Sequence, residues 1–354
     1  MKILIQFLAL ATLTIASSAP AAGKTLIDYF LPMPVHGQLT TNAWGAASVL
    51  PRDPLNGLED PTLKQWYYWD GKIIQAPDGK YHLFASRWDQ SRGHSGWWGS
   101  CAVQGVSDNP TGPYVDQGLL WPANQGGKGH NVTALVLPDG RYAVVVSETR
   151  PGDVFVSKSL DGPWEPLGTM KLDANGFNPR DGHMSNVSIM VRPDGGFEVV
   201  PRSGAIWIST NGILGPFKIQ GPSIYPQVKG LSLHNLEDPV VWFSGGLYHI
   251  VVNSWSDRKA YHLTSRDGLT GWTYRGLAYD PTTNFLRYTD GTVNHWNKIE
   301  RPNVYLVDGH VAYFTFAVID VPKEEDRGND GHGSKVIVVP FAGAALDRDL
   351  QNAP

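Results

Sequence analysis

The chain has 354 residues, of which 42% are hydrophobic and 18% charged, so its composition is that of a globular protein and not of a disordered chain or a coiled coil. Its 29 lysines and arginines against 33 acidic residues give a formal net charge of -4, which argues against the strong positive field of a nucleic-acid-binding protein. A single cysteine, Cys101, excludes an internal disulfide and a cysteine-based metal site, so burial of a core has to stabilise the fold.

The first 22 residues are predicted to be a signal peptide. Lys2 precedes an apolar run over residues 3–15, and small residues follow at 17–22, which is the order of a charged region, an apolar region and a cleavage site. The apolar run is shorter than the ~20 residues that a membrane-spanning helix needs. We therefore predict export to the periplasm or the extracellular space, no membrane association after cleavage, and a single domain over residues 23–354.

One hairpin pattern recurs five times along that domain. In each repeat, a run of β-branched and aromatic residues leads into a tight turn and a second run, which is a strong hairpin signal. The turns are Asp78-Gly79, Asp139-Gly140, Asp194-Gly195, Gly245-Gly246 and Asp308-Gly309. Four of the hairpins are followed by a second signature, a Ser-rich turn leading to Gly-Pro-aromatic or Gly-Trp, which predicts an outer hairpin in the same repeat.

Two hairpins per repeat make a four-stranded sheet, and repeats of this kind at a spacing of ~40 to 60 residues are typical of propellers. We therefore predict an all-β fold, a five-bladed β-propeller of four-stranded antiparallel blades. The fifth repeat lacks the outer signature. We expect its outermost strand to come from the N-terminal segment Leu26 to Phe30, so that both chain ends close the ring.

A polar residue lies eight residues before the first residue of every turn. These residues are Asp70, Asn131, Asn186, Glu237 and Glu300. Because the offset is constant and even, we expect the five side chains to occupy one equivalent position on the innermost strands and to face the axis. The two asparagines could equally serve ordered water. Three acids crowded together raise one another's pKa, which makes Asp70, Glu237 and Glu300 candidate catalytic residues.

Further candidates flank the inner strands and would bind substrate. They are Arg87, Trp88, His94, His130, Asn131, Glu148, Arg150, His183, Asn186, Arg202, His234, Asp238, Trp255 and Arg301. Guanidinium groups match carboxylate or sulfate groups in two hydrogen bonds at once, although they could also simply neutralise the acids. The indole rings, with those of Trp97, Trp98 and Trp296, could stack on sugar rings.

Several of these segments resemble a known superfamily. Residues 77–83 (Pro-Asp-Gly-Lys-Tyr-His-Leu) and 236–239 (Leu-Glu-Asp-Pro) are similar to repeats of the five-bladed β-propeller carbohydrate-active enzymes, glycoside hydrolase family 43 and its relatives, over nearly the whole mature chain. The resemblance implies a general base at Asp70 on blade one and a general acid at Glu237 on blade four. Asn186 stands where the family has a third, tuning aspartate on blade three, and Glu300 has no counterpart.

The resemblance implies a secreted glycoside hydrolase acting on an oligosaccharide or polysaccharide of plant, algal or microbial origin, with acidic, uronate-containing sugars among the candidates. The two carboxyl groups of such enzymes lie roughly 6.5 to 9.5 Å apart for inversion and roughly 5 to 5.5 Å apart for retention. Blades one and four face each other across the axis, which favours inversion. We expect no cofactor; an axial Ca²⁺ is suggested only by analogy with other propellers.

Two other functions remain open at this point. A polysaccharide lyase would abstract a proton from a uronate whose carboxylate a cation neutralises, and its product would absorb in the ultraviolet. Its base and its cation would come from His94, His130, His183, Tyr67 and Arg87. A propeller that binds sugar without catalysis is the second alternative, and Asn186 in place of an aspartate is the main argument for it.

Overall fold

Short apolar runs that alternate with tight turns form the strands of five sheets. The computed structural model describes residues 23–41, 44, 49 and 51–352; the predicted signal peptide over residues 1–22 lies outside the described residues. Blade one consists of β1 (Trp66–Gln75), β2 (Tyr81–Asp89), β3 (Cys101–Ser107) and β4 (Val115–Leu119). Blade two consists of β5 (Val132–Val136), β6 (Tyr142–Val146), β7 (Asp153–Ser157) and β8 (Glu165–Thr169).

The remaining three blades differ in the number of their strands. Blade three has five strands, β9 (Leu172–Asp173), β10 (Ser188–Val191), β11 (Phe197–Val200), β12 (Trp207–Ser209) and β13 (Phe217–Ile219). Blade four has four strands, β14 (Leu236–Ser244), β15 (Leu247–Ser254), β16 (Lys259–Ser265) and β17 (Thr273–Tyr279). Blade five has three strands, β18 (Lys298–Val307), β19 (His310–Ile319) and β20 (Ser334–Pro340). Strand β9 pairs with β13 in parallel, and every other pair is antiparallel. The predicted five-bladed β-propeller is confirmed.

The blades form a closed ring with a separate apolar core between each pair of neighbours. The innermost strand β1 contacts β5 on one side and β18 on the other, while β10 contacts β5 and β14, and β14 contacts β18. Buried side chains of blades two and three, such as Val145 and Val199, form one of the cores. Each fully buried residue of this size contributes about 1.5 to 3 kcal/mol. Burial between sheets therefore replaces the disulfides that the composition excludes.

The N-terminal segment closes the ring in a different way from the one predicted. Leu26–Tyr29 form a 3₁₀ turn and not a strand, because Leu26 and Tyr29 are both buried, and side chains three residues apart share one face of such a turn. Beyond the turn, Phe30 bridges Phe341, and the Leu31 N–H donates to the Pro340 carbonyl oxygen at 2.9 Å. The free edge of β20 is therefore covered by isolated bridges.

One α-helix, α1 (Gly343–Gln351), covers the end of the propeller where the inner hairpins turn. The Asp347 carboxylate accepts hydrogen bonds from Ser244 Oγ at 2.9 Å and His310 Nδ1 at 2.6 Å. Among the described residues, no helix is long and apolar enough to cross a membrane.

Candidate active site

One residue within or just before every inner strand has a left-handed backbone conformation. These residues are Asp70 (φ 70°), Asn131 (φ 52°), Asn186 (φ 48°), Asp238 (φ 50°) and Arg301 (φ 49°). Such a conformation is uncommon outside glycine, and Asn and Asp tolerate it best. Each lies six residues before the last paired residue ahead of the inner turn, namely Ala76, Leu137, Arg192, Ser244 and Val307. We call these five left-handed residues the ring.

The prediction that Glu237 and Glu300 occupy ring positions is therefore wrong by one residue. The inner turns of blades one to three have three residues between their paired ends, as between Ala76 and Lys80. The turns of blades four and five have two, as between Ser244 and Leu247. Since the later turns are one residue shorter, a count of eight stops one residue early in those blades.

Arg301 holds two ring acids together. Its Nε donates to Asp70 Oδ1 at 2.8 Å, and its Nη1 donates to Asp238 Oδ1 at 3.3 Å. Asn186 Nδ2 also donates to Asp238, and the Arg301 backbone N–H does so at 3.3 Å. All of these side chains are buried, where a charge is tolerated only when it is paired. Arg301, predicted to bind substrate, instead fixes the two aspartates.

Asp70, the predicted general base, is fully buried. Its Oδ2 accepts hydrogen bonds from Ser86 Oγ and, at 3.0 Å, from the Val132 backbone N–H. Burial raises the pKa of Asp70, and the nearby Arg301 acts in the opposite direction. The carboxylate is oriented, but in this conformation it is closed to solvent, and its role as the base stays a prediction.

Glu237 is the acid of this group that reaches open space. Its side chain is 12% exposed, against 0% for Asp70 and 2% for both Asp238 and Glu300. Burial raises the pKa of Glu237 to about 8, and the negative charges of Asp238 and Glu300 act in the same direction. The cations Lys323 and Arg202 oppose this shift. The raised pKa favours the protonated form of Glu237 at neutral pH, as a general acid requires.

Two lysines that the sequence analysis did not single out neutralise Glu300. Lys323 Nζ donates to Glu300 Oε2, and Lys298 Nζ lies 3.6 Å from Oε1. Lys298 begins β18, whereas Lys323 lies in the long segment between β19 and β20. That segment matches no motif, so only its length could have pointed to a functional role in the sequence.

Three acids at the ring form a cluster, the one among the described residues whose spacing would suit a metal ion. One oxygen each of Glu237, Asp238 and Glu300 lies within 4.8 Å of the others. However, Arg301 and Lys323 already supply positive charge to this group. The axial Ca²⁺ ion stays a prediction, and Glu237, Asp238 and Glu300 are the residues that would hold it, with bidentate carboxylates and waters completing its six to eight oxygen ligands.

Two buried histidines lie beside an indole cluster at the same mouth. His130 stacks on Trp97 with the ring centroids 4.7 Å apart, and His94 meets Trp69 edge to face at 4.9 Å. Burial lowers the pKa of both imidazoles well below the usual range, and the nearby cations act in the same direction. The Ser100 hydroxyl donates to the Gly129 carbonyl oxygen, so we assign the His130 Nδ1–H as a donor to Ser100 Oγ at 2.9 Å. His130 Nε2 is then left as an acceptor.

Two of the predicted arginines are paired within their own blades. Arg87 Nη1 pairs with Asp116 at 2.5 Å, and its guanidinium lies 4.2 Å from the Trp66 ring centroid on the outer side of blade one. Arg150 Nε pairs with Asp153 at 2.8 Å. Both are corrections, because each guanidinium is already occupied by an acid of its own blade.

Fewer of the predicted indole rings are free to stack on a sugar than expected. Trp88 is 3% exposed, and its indole N–H donates to the Gly93 carbonyl oxygen at 3.0 Å, so it supports the histidines from below. Trp296 is likewise buried. Trp98 and Trp255 are exposed, and Lys298 Nζ lies 5.3 Å from the Trp255 ring. Stacking on a sugar is thus open to these two indoles.

Some of the other predicted binding residues hold the site in place, and others lie exposed near the mouth. Glu148 Oε1 accepts hydrogen bonds from Ser185 Oγ at 2.7 Å and the Asn186 N–H at 2.9 Å, which fixes the start of blade three. Asn131 is buried in the ring, and its Oδ1 has no hydrogen-bond partner in the described structure. His234 is exposed and pairs with Asp257 at 3.0 Å. His183 lines a cavity with Arg202.

Comparisons with known proteins locate the fold more securely than the sequence does. No family model matches the chain, and no curated protein matches it. Among solved structures, it is similar to CoXyl43, a GH43 β-xylosidase/α-arabinofuranosidase from a compost microbial metagenome, solved with xylotriose in a calcium-free form (TM-score 0.53, 14% identity, covering 80% of this chain and 94% of that chain).

It is also similar to Zg3597, a family 117 glycoside hydrolase of the marine bacterium Zobellia galactanivorans (TM-score 0.53, 14% identity, covering 81% of this chain and 88% of that chain). A third similar structure is 1,3Gal43A, an exo-β-1,3-galactanase from Clostridium thermocellum (TM-score 0.52, 14% identity, covering 81% of this chain and 62% of that chain). At such identities the likeness establishes the fold, the five-bladed propeller of these glycoside hydrolases.

Proposed function

We propose that the protein is a glycoside hydrolase that cleaves a glycosidic bond in an oligosaccharide or polysaccharide of plant, algal or microbial origin. The observation that carries the proposal is the position of Glu237 at the mouth of the ring, where its side chain is 12% exposed and where burial, Asp238 and Glu300 all raise its pKa. The neighbouring propeller structures are glycoside hydrolases, which supports the same reaction class. If the predicted signal peptide is cleaved, the enzyme acts in the periplasm or outside the cell.

In the proposed reaction, Glu237 gives its proton to the glycosidic oxygen as the bond to the anomeric carbon breaks. Substrate binding admits a water to the Asp70 carboxylate, which is buried in this conformation, and Asp70 takes a proton from this water as the water oxygen bonds to that carbon from the opposite side. Arg301, Ser86 and the Val132 N–H hold the Asp70 carboxylate in one orientation for this step. Because the two groups come from non-adjacent blades, we propose inversion at the anomeric carbon.

Asp238 and Glu300 act through the acid and not on the sugar. Both negative charges raise the pKa of Glu237. Asn186 stands at the position where the resemblance implies a tuning aspartate, and it donates a hydrogen bond to Asp238. We propose that Asp238 and Glu300 together take over the tuning role that blade three would otherwise supply.

Product analysis tests the reaction class directly. Neutral and acidic oligosaccharides are incubated with the protein, and both new reducing ends and ultraviolet absorbance are measured. We expect new reducing ends without absorbance, and a loss of about 10² to 10⁴-fold in rate for D70N and E237Q. The matched control E165Q changes an exposed glutamate on β8 and should retain the full rate. Binding of sugar without any product would instead indicate a sugar-binding propeller.

The configuration of the first product tests the assignment of the second carboxylate. Proton NMR during the reaction should show the inverted anomer first. Retention would contradict the role of Asp70 and assign it to Glu300, whose carboxyl lies within 4.8 Å of the Glu237 carboxyl, near the separation of roughly 5 to 5.5 Å for retaining enzymes.

A lyase is the second candidate, and His130 is the observation that favours it. A neutral imidazole with a free Nε2, close to Lys323 and Arg301, has the properties of a base that acts on a charge-neutralised uronate. The other predicted bases and cation are less suited: the Tyr67 hydroxyl is buried and bonded to Asp326, and Arg87 faces away. A product that absorbs in the ultraviolet, with H130A inactive and E237Q active, would establish the lyase.

A further inference from the structure

Beside Glu237 lies a cavity of about 620 Å³ that is lined by cations and hydroxyl groups. Its lining residues are Arg180, His183, Ser185, Arg202, Ser203 and Leu236. Leu236 immediately precedes Glu237, and Arg202 Nη1 lies 3.5 Å from Glu237 Oε2. The cavity is therefore continuous with the position of the proposed acid.

The side chains that line this cavity have few protein partners. In the described part of the chain, the side chains of Arg180 and His183 make no hydrogen bond or ion pair, and Asp181, the acid between them, pairs with neither arginine. The Arg202 side chain is 46% exposed and has Glu237 as its one acidic neighbour.

The backbone holds the two arginines at the cavity wall. Arg180 lies in the 3₁₀ turn Pro179–Gly182, where its N–H donates to Asn178 Oδ1 at 2.9 Å. The Trp207 indole N–H fixes the same turn by donating to the Asp181 carbonyl oxygen at 2.8 Å. The Arg202 N–H donates to the Ser185 carbonyl oxygen at 2.9 Å. Two guanidinium groups on a fixed backbone, that of Arg202 with its side chain 46% exposed, form a site suited to a planar or tetrahedral anion.

We infer that this cavity is a subsite for an anionic substituent of the sugar, a carboxylate or a sulfate ester, bound by Arg180 and Arg202 next to the bond that is cleaved. This inference rests on the proposed function, because it names the substrate class of the same site. The natural substrate is then a uronate-containing or sulfated glycan.

Binding measurements test the inference independently of hydrolysis. D-glucuronate is compared with D-glucose, and D-galactose 6-sulfate with D-galactose, by NMR titration of the wild-type protein. We expect the anionic member of at least one pair to bind about tenfold more tightly, the effect of about 1.4 kcal/mol from one charge-assisted interaction. Preference for glucuronate alone indicates a carboxylate, and preference for the sulfate alone indicates a sulfate ester.

The matched variants are R180Q and R202Q, with R266Q as a control on the exposed outer turn of blade four. Both test variants should abolish the preference for the anion without weakening binding of the neutral sugar, and R266Q should keep it. Equal affinities within both pairs, or a preference that survives R180Q together with R202Q, would overturn the inference.

The two proposals can fail separately. A preference for the anion without hydrolysis of any glycan removes the hydrolase assignment and leaves the subsite. Hydrolysis of neutral glycans without a preference for the anion does the reverse.

Discussion

Glu237 and Asp238 are adjacent in sequence, yet their carboxyl groups have opposite surroundings. Asp238 is a ring residue whose oxygens accept hydrogen bonds from Asn186 and Arg301. Glu237 has no such donors and faces the open mouth, with Arg202 at 3.5 Å. Environments that differ in this way can give the two carboxyl groups of a pair different roles.

The proton on Glu237 predicts the alkaline limit of activity. A general acid works only in its protonated form, so kcat/KM should fall as the pH rises through about 8, the pKa of Glu237, and this group should not limit activity below that pH. The pH profile of kcat/KM checks this, and E237Q should lose this limb together with most of its rate. An alkaline limb that persists in E237Q would contradict the assignment.

Arg301 predicts a large effect on stability. In R301M, two buried aspartates lose their shared cation, and breaking a buried pair in this way costs about 3 to 5 kcal/mol. The midpoint of urea unfolding should fall accordingly. The double variant D70N/R301M should recover part of the loss, because one of the stranded charges is then absent. An unchanged midpoint for R301M would show that the pairing contributes nothing.

The segment between β19 and β20 connects blade five to blade one across the mouth. Asp326 Oδ1 accepts a hydrogen bond from Tyr67 Oη at 2.8 Å, and the Gln90 side chain donates to the His332 carbonyl oxygen at 2.8 Å. These contacts fix the segment that delivers Lys323 to Glu300. A connection without regular secondary structure thus supplies a charge to the candidate site.

Removing that charge should move the alkaline limb. In K323M, Glu237 loses a cation that lowers its pKa, and Glu300, whose charge raises that pKa, keeps only Lys298 as a neutralising partner. Both changes raise the pKa of Glu237, so the limb should shift to higher pH. The control K158M alters an exposed lysine on the outer part of blade two and should leave the profile unchanged. A shift to lower pH in K323M would contradict this electrostatic account.

The hairpins could be predicted because their turns are encoded locally, but the exact ring position could not. The dipeptides mark each turn without revealing whether two or three residues separate its paired ends, and that difference decides between Glu237 and Asp238. The alternation of side chains along a strand explains why Arg87 does not face Asp70. Ser86 bonds to Asp70, so the next side chain, that of Arg87, points to the other face of the sheet. The role of Lys323 could not be predicted from its neighbours in the sequence, because its partner Glu300 lies on strand β18.

Closure of the ring depends on a few aromatic contacts near the N-terminus. The Phe30 ring lies 5.1 Å from Phe285, 5.3 Å from Phe314 and 5.1 Å from Phe341, between centroids. The Phe30 ring therefore links the N-terminal segment to the strands of blade five and to the segment that follows them. In a ring, one such closure constrains all five sheets at once.

Truncating this side chain should destabilise the whole propeller. F30A removes a partly buried ring, for which we expect a loss of about 2 to 3 kcal/mol, somewhat below the cost for a fully buried phenylalanine. Urea unfolding followed by tryptophan fluorescence should show one transition at a lower midpoint. The neighbouring control L31A shortens an exposed side chain and should change little. Equal midpoints for F30A and L31A would argue that Phe30 does not close the ring.

Helix α1 also determines how the molecule could be attached to a solid support. It covers the hairpin turns at Ser244 and His310, the end of the propeller furthest from Glu237. A bead linked through a cysteine introduced at an exposed helix position, as in Ala344→Cys, would leave the mouth of the ring facing the liquid and accessible to long polymers. Coupling through amines would instead also use exposed lysines elsewhere on the surface, such as Lys158, so the molecules would be attached in mixed orientations.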